Sequence, residues 1–375
     1  MSEQVRFDRG PLPGSTLFAA PRMLIRADTA AGIAPALAAI ENARRQGLWL
    51  AGCLSYELGY ALVPRLTRLM PVGRDFPLIL MGVFDCPVPA PALPDPSVVR
   101  IGAAMPLWSR ARYEGAIDAV RAYIAAGDTY QINLTFPTEA ACVGDPLSLY
   151  AALMARQPVG EGAFVDLDGC PILSRSPELF FSVDHGGTIT TRPMKGTAPR
   201  GMTPAGDDAA ASDLAASAKN RAENLMIVDL LRNDISRICR PGSVRVPRLF
   251  QIESYATLHQ MTSTVTGHLE TGTGFGDILG ALFPCGSITG APKIRSMEII
   301  AELEQAPRGI YCGAIGWMDP AGPMRFSVAI RTPVMVAPDR LRLNVGGGIT
   351  HDSRAGSEWE EALCKAAFLD LSPKD

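Results

Sequence analysis

An alternating run, Thr188-Ile189-Thr190-Thr191, leads straight into Arg192-Pro193-Met194-Lys195-Gly196-Thr197-Ala198-Pro199-Arg200-Gly201, and this junction constrains the chain more than any other stretch. The alternation reads as the end of a strand. Pro193 restricts Arg192 to extended backbone, and Gly196 frees the chain just after Lys195. A lysine so framed is presented at a strand exit, not packed. Taken alone, such a lysine is usually a solvated charge, so its meaning depends on what accompanies it downstream.

The chain of 375 residues has room for two domains or one large α/β body. Its hydrophobic content of 47% and charged content of 19% are globular values. A net charge of −3 argues against nucleic acid or an anionic membrane as partner. No apolar run is long enough to span a membrane, and the polar start lacks a signal-peptide core. The eight cysteines (53, 86, 142, 170, 239, 285, 312 and 364) contain no C-x-x-C pair. That usage predicts reduced thiols in a cytoplasmic protein and no zinc site.

Along the chain, Ile33 to Gln46 reads as a helix, and Pro87 to Pro96, with five prolines, as a surface connection. This is the best boundary on offer: residues 1–105 form an N-terminal region integrated with the main body, and 106–375 the catalytic part. Ser109 to Ala126 is helical by spacing, whereas Thr129 to Phe136 alternates as a strand. Ala205 to Ala218 is small and polar and reads as a mobile loop. The next helix, about Lys219 to Ile238, carries Leu225, Val228, Leu231, Ile235 and Ile238 on one stripe, with Glu223 and Asp234 off it.

Further on, Phe283 to Pro292 feeds a helix in whose first turn Pro292 sits, capped by Thr289 or Gly290. Glycines and two hydroxyls, Ser287 and Thr289, at a helix start suit a carboxylate, although plain capping explains them equally. Gly346-Gly347-Gly348 ends a strand and lets backbone N–H groups approach a ligand. Ser357 and Glu360 read as a capping box for the last helix. On that helix Glu358, Glu361 and Lys365 share one face, and Trp359, Leu363 and Ala366 another. Carboxylates from separate helices, without histidine or thiolate partners, suit Mg²⁺, which prefers oxygen ligands and substrate anions. Arg331 is a further candidate for a substrate carboxylate. These residues alone point to a small dianionic metabolite and do not say which.

Several blocks make the chain recognisable. They are Tyr130-Gln-Ile-Asn-Leu-Thr135, Ser174-Arg-Ser-Pro-Glu178, Pro193-Met-Lys-Gly-Thr197, Arg221 to Asp234, Glu253 to Gln260, Gly286 to Lys293, Ala329-Ile-Arg-Thr332, Val345 to Ile349 and Ser357 to Lys365. In these the sequence resembles the chorismate-utilising enzymes, and within them the branch that aminates C4. The resemblance covers most of residues 110–370 and is weaker before 105.

It implies an α+β fold of two packed antiparallel β-sheets with outer helices, and chorismate with Mg²⁺ between them. It implies Glu223 and Glu361 as metal ligands, with Glu358 close by through water. Gly196, Thr197, Ser287, Thr289, Tyr311, Arg331, Gly346, Gly347, Gly348 and Lys365 would hold the substrate, Glu178 would help the C4 hydroxyl leave, and His259 would stand beside the ring. Where anthranilate synthases typically have alanine, the aminating branch has the lysine found here at 195. The implied reaction is attack by Lys195 on C2, then by ammonia on C4, giving 4-amino-4-deoxychorismate for 4-aminobenzoate and folate synthesis. Such covalent catalysis needs a neutral amine, although a lysine at its ordinary pKa near 10.4 is charged at neutral pH. Nearby cations would lower that pKa and Glu178 would raise it, so metal and substrate are expected to bind before deprotonation. Anthranilate or isochorismate formation, and a non-catalytic chorismate-binding role, remain as alternatives.

No Gly-x-Cys-x-Gly turn of a glutaminase is present, so ammonia is expected from solution or from a glutamine amidotransferase subunit. With the last helix close to the final residue, 4-aminobenzoate release is expected to need another enzyme. One departure from relatives is Asn220, where an acidic residue often stands three positions before the metal glutamate. Asn220→Asp should therefore tighten Mg²⁺ binding severalfold in a calorimetric titration; unchanged or weaker binding would remove residue 220 from the metal site.

Overall fold

The computed structural model describes residues 3–255 and 258–371. Ala256 and Thr257, within the Glu253–Gln260 block, lie outside the described residues. Its strands form one eleven-stranded and one ten-stranded sheet among the described residues, and every named pairing is antiparallel. Helices pack against both sheets, giving the α+β architecture expected.

The larger sheet is built around a long ladder. Gln131–Val143 pairs with Arg340–Ile349 over ten residues, from Ala141 opposite Arg340 to Ile132 opposite Ile349. Gly346, Gly347 and Gly348 face Thr135, Leu134 and Asn133 on that ladder. A Cβ on Gly346 would collide with the Leu134 carbonyl, so only glycine lets the two strands close there. In the second sheet Leu258–His268 is shared. It pairs with Met194–Pro199, Thr188–Arg192 and Arg245–Ser254.

The first hundred residues are woven into both sheets. Gln4–Phe7 pairs with Glu161–Asp166, and Trp49–Leu54 pairs with Ala314–Met318. Val88 and Pro89, inside the proline-rich stretch, form a short exposed strand.

Aromatic packing fixes the last helix, Ala355–Ala366. Trp359 stacks on Phe136 with ring centroids 4.9 Å apart, and Tyr113 meets Phe136 edge-on at 4.9 Å. The apolar face thus points at the long strand, and Glu358, Glu361 and Lys365 are turned towards the glycines, as their spacing predicts. Elsewhere the sequence reading needs correction. The supposed mobile loop is a helix, Pro204–Ala216, capped by Thr203 accepting from the Gly206 amide. Helix Ala218–Ser236 buries Ile227, Val228, Leu231 and Ile235, but Leu225 is exposed. Asp234 is buried on that helix because Lys293 pairs with it at 2.7 Å. Pro292, in a cis peptide, precedes helix Lys293–Glu304 instead of entering it. The last helix starts at Ala355 after Arg354, so Ser357 lies inside it and forms no capping box.

A buried guanidinium ties these parts together. Arg308 donates to Glu304 (2.7 Å), to the carbonyls of Ile288 (3.0 Å) and Asn133 (2.7 Å), and its amide donates to Glu57 (2.7 Å). Glu304 in turn accepts from the Thr135 amide at 2.9 Å. Removing one member strands a buried charge, so Glu304→Ala should cost about 3–5 kcal/mol in urea unfolding. A loss below about 1 kcal/mol would show that the network is dispensable.

Candidate active site

Lys195 sits where the pairing of Met194–Pro199 with Leu258–His268 slips register, between Met194 and Thr197. Gly196 there has φ +85°, open to glycine but strained for other residues, and a Cβ on it would stand 2.9 Å from Asn220. The bulge turns Lys195 toward the glycine ladder: a Cβ on Gly348 would lie 3.1 Å from Lys195 Nζ. Among the described residues the Lys195 side chain makes no hydrogen bond or ion pair. Burial is the main influence and lowers its pKa. Glu223 and Glu178 oppose that, Lys365 adds to it, and Glu361 opposes it. The sequence reading anticipated the neighbouring charges but not the dominance of burial.

Glu178 carries the complementary perturbation. It is buried behind Ser174-Arg175-Ser176-Pro177, and burial pushes its carboxyl up to about 7. Ser287 donates to its Oε1 at 2.7 Å and, with Lys195, moderates the rise. A carboxylic acid half-protonated near neutrality, within reach of the charge of a lysine whose pKa is depressed, makes a matched acid and amine.

The carboxylates expected to bind metal surround the same place. A Cβ on Gly347 would lie 3.3 Å from Glu358 Oε2, 3.4 Å from Lys365 Nζ and 4.0 Å from Glu361 Oε1. Glu361 pairs with Lys365 at 2.8 Å, and Glu358 accepts from Ser353 at 2.6 Å. Burial raises the Glu358 pKa, and the negative charge of Glu361 adds to it. Glu223, on its own helix, lies 3.9 Å from Lys219. Among the described residues no three acidic, histidine or cysteine side chains are drawn together as a metal-binding group. The donor chemistry nevertheless fits a hard cation, since Glu358 and Glu361 repel one another and offer only oxygen.

Arg331 is the strongest candidate for a substrate carboxylate. It is half-buried at φ +49°, burial lowers its pKa, and no acidic partner meets it among the described residues. It lines a cleft with Met194, Tyr255, Leu258 and Gln260. Gln260 also holds Gly196, donating to its carbonyl at 2.7 Å, and lies 3.2 Å from the Thr197 hydroxyl. Other expected contacts are spent inside the protein. The Ser287 hydroxyl serves Glu178, the Thr289 hydroxyl donates to the Cys285 carbonyl at 3.1 Å, and Lys365 donates to the Gly346 carbonyl at 2.8 Å. Tyr311 is buried in the core, where its hydroxyl pKa is raised. His259 has both ring nitrogens engaged, Nδ1 with Ser254 at 2.8 Å and Nε2 with Asp207 at 2.9 Å.

One residue was missed. Gln131 is fully buried, neither atom of its amide has a hydrogen-bond partner, and its Nε2 lies against Gly348. An orphaned amide beside Lys195 is poised to meet a ligand. Its place in the alternation of Thr129–Phe136 gave no sign of this.

Comparison with known proteins adds three findings. The chorismate binding enzyme family matches residues 15–370. An aminodeoxychorismate synthase of Streptomyces griseus is 44% identical over 283 residues, 76% of this chain and 39% of that protein. Aminodeoxychorismate synthase component 1 of Salmonella typhimurium is 44% identical over 257 residues, 68% of this chain and 56% of that protein. The chain thus spans well under two thirds of these curated relatives. Anthranilate synthase component I from Streptococcus pneumoniae has a similar solved structure, with a TM-score of 0.82 at 27% identity, covering 96% of this chain and 92% of that one.

Removing the Ser287 hydroxyl takes away a hydrogen bond that favours ionised Glu178. Ser287→Ala should therefore raise the Glu178 pKa further, by about one to two units for a bond to a charged group. Carbon-13 NMR titration of that carboxyl measures it, and an unchanged or lower value would discount the contact.

Proposed function

This chain belongs to the chorismate binding enzyme family, and within it we propose that it is an aminodeoxychorismate synthase of the component 1 kind. One observation carries the reading: Lys195 and Glu178 lie within reach of each other's charge, with burial pushing the pKa of the amine down and that of the acid up to about 7. Anthranilate formation needs no such lysine. The relatives named aminodeoxychorismate synthase support the same branch.

In this reading Arg331 and the glycine strand hold the two carboxylates of chorismate, and Gln131 meets the ring region beside Lys195. The neutral Lys195 amine attacks C2 while the C4–O bond breaks, and Glu178 gives its proton to the departing hydroxyl as water forms. Ammonia then attacks C4, the ring double bonds shift back toward C2, and the C2–N bond breaks with its electron pair leaving on the lysine amine. Excess protons pass to the Glu178 carboxylate, which restores the acid. The depressed pKa of Lys195 shortens the gap that a lysine near 10.4 faces at neutral pH.

Glu223, Glu358 and Glu361 would hold Mg²⁺, which supplies positive charge for the substrate and further disfavours a charged Lys195. Binding of Mg²⁺ and chorismate before deprotonation follows from this, because Glu223 and Glu361 otherwise favour the ammonium. The name component 1 in the relatives points to a second subunit, and a glutaminase supplying ammonia suits the chemistry.

The test is purified protein with chorismate, Mg²⁺ and ammonium, with products resolved by mass spectrometry. 4-Amino-4-deoxychorismate is expected, with Lys195→Ala slowed by about 10³-fold or more, as for loss of a covalent nucleophile. Anthranilate or isochorismate as the product would overturn the reading.

A further inference from the structure

Helix Pro204–Ala216 joins the Lys195 strand to the Glu223 helix, yet Leu214 is the one buried residue among its thirteen. Apolar packing therefore holds it weakly, and something else must fix it. That role falls to one carboxylate in its first turns. Asp207 accepts from Arg200 Nε at 2.7 Å and Arg200 Nη2 at 2.5 Å, from the Gly201 amide at 2.9 Å, and meets His259 Nε2 at 2.9 Å. Arg200 donates also to the Tyr255 carbonyl at 2.6 Å, and Ser254 meets the other nitrogen of His259 at 2.8 Å. The turn is closed tightly, since a Cβ on Gly201 would collide with the Asp207 backbone. Three segments meet on this side chain: the end of the Lys195 strand, the helix, and the strand carrying His259.

The geometry points to Asp207 as a positioning residue. Its carboxylate latches the helix over the end of the Lys195 strand and sets the His259 ring. His259, with a side chain 2% exposed, is oriented from both ends and cannot turn while the latch is made. The helix is then a lid whose closure depends on a polar contact that can break and remake, and the spacing between the Lys195 strand and the Glu223 helix depends on that closure. The part of this that concerns turnover rests on the function proposed above; the latch itself does not.

The test compares Asp207→Asn, Asp207→Glu and, as control, Asp208→Asn, whose side chain is on the exposed face. Amide hydrogen exchange over residues 201–216 and steady-state turnover of chorismate with ammonium and Mg²⁺ are read on the same whole protein. Asp207→Asn should speed exchange in that segment alone and lower kcat/KM by about tenfold or more, as for loss of hydrogen bonds to a charged group. Asp207→Glu should restore part of both, and Asp208→Asn should change neither. Unchanged exchange at 201–216 in Asp207→Asn would overturn the latch. Exchange rising across the whole chain would make Asp207 a general stability residue and overturn it too. Unchanged kcat/KM with local exchange raised would overturn the positioning role. If the unmodified protein consumes no chorismate, the proposed function fails, while the exchange comparison still decides the latch.

Discussion

The close approach of two strands at Gly346–Gly348 is the constraint on which the rest of the site depends. Side chains at those positions would push the Arg340–Ile349 strand away from Gln131–Val143 or fill the space above it. Their absence makes a floor of backbone, and groups from three directions converge on it. Glu358, Glu361 and Lys365 come from the last helix, Lys195 from the neighbouring sheet, and Gln131 from the facing strand. Trp359 stacked on Phe136 orients the helix, so core packing and charged face are two sides of one rotation.

Burial does most of the electrostatic work. It pushes Lys195 down and Glu178 up, which is the direction in which each becomes useful, and nearby charges only adjust the result. Lys195 has three carboxylates acting on it and its side chain bonds to none, whereas Glu178 is held by the Ser287 hydroxyl and the Met194 backbone. This separates a reactive amine from an ordinary ion pair. A direct bond from Lys195 to a carboxylate would have kept its proton in place.

How far the sequence disclosed this depends on the kind of signal. Local patterning read well: the strand exit at Pro193, the offset between Trp359 and the Glu358–Glu361–Lys365 face, and the helix from Ser109 are all in place. Long-range partnerships were invisible. Asp234 looked like a surface residue until Lys293 covered it, and Asp207 lay in what read as a loose segment until Arg200 and His259 met it. Ser287 and Thr289 were legible as hydroxyls near a turn, but their acceptors are set by how that turn folds against Glu178 and Cys285. Gln131 needed the opposite information, the lack of any partner.

The woven N-terminal strands also govern how the chain comes into being on the ribosome. Trp49–Leu54 finds one neighbour, Ile79–Phe84, almost at once, but its other edge waits for Ala314–Met318. Through most of synthesis that buried, apolar strand is half-paired, with a row of open backbone groups that any other strand could occupy. The finished sheet closes along this edge only once Ala314–Met318 has emerged.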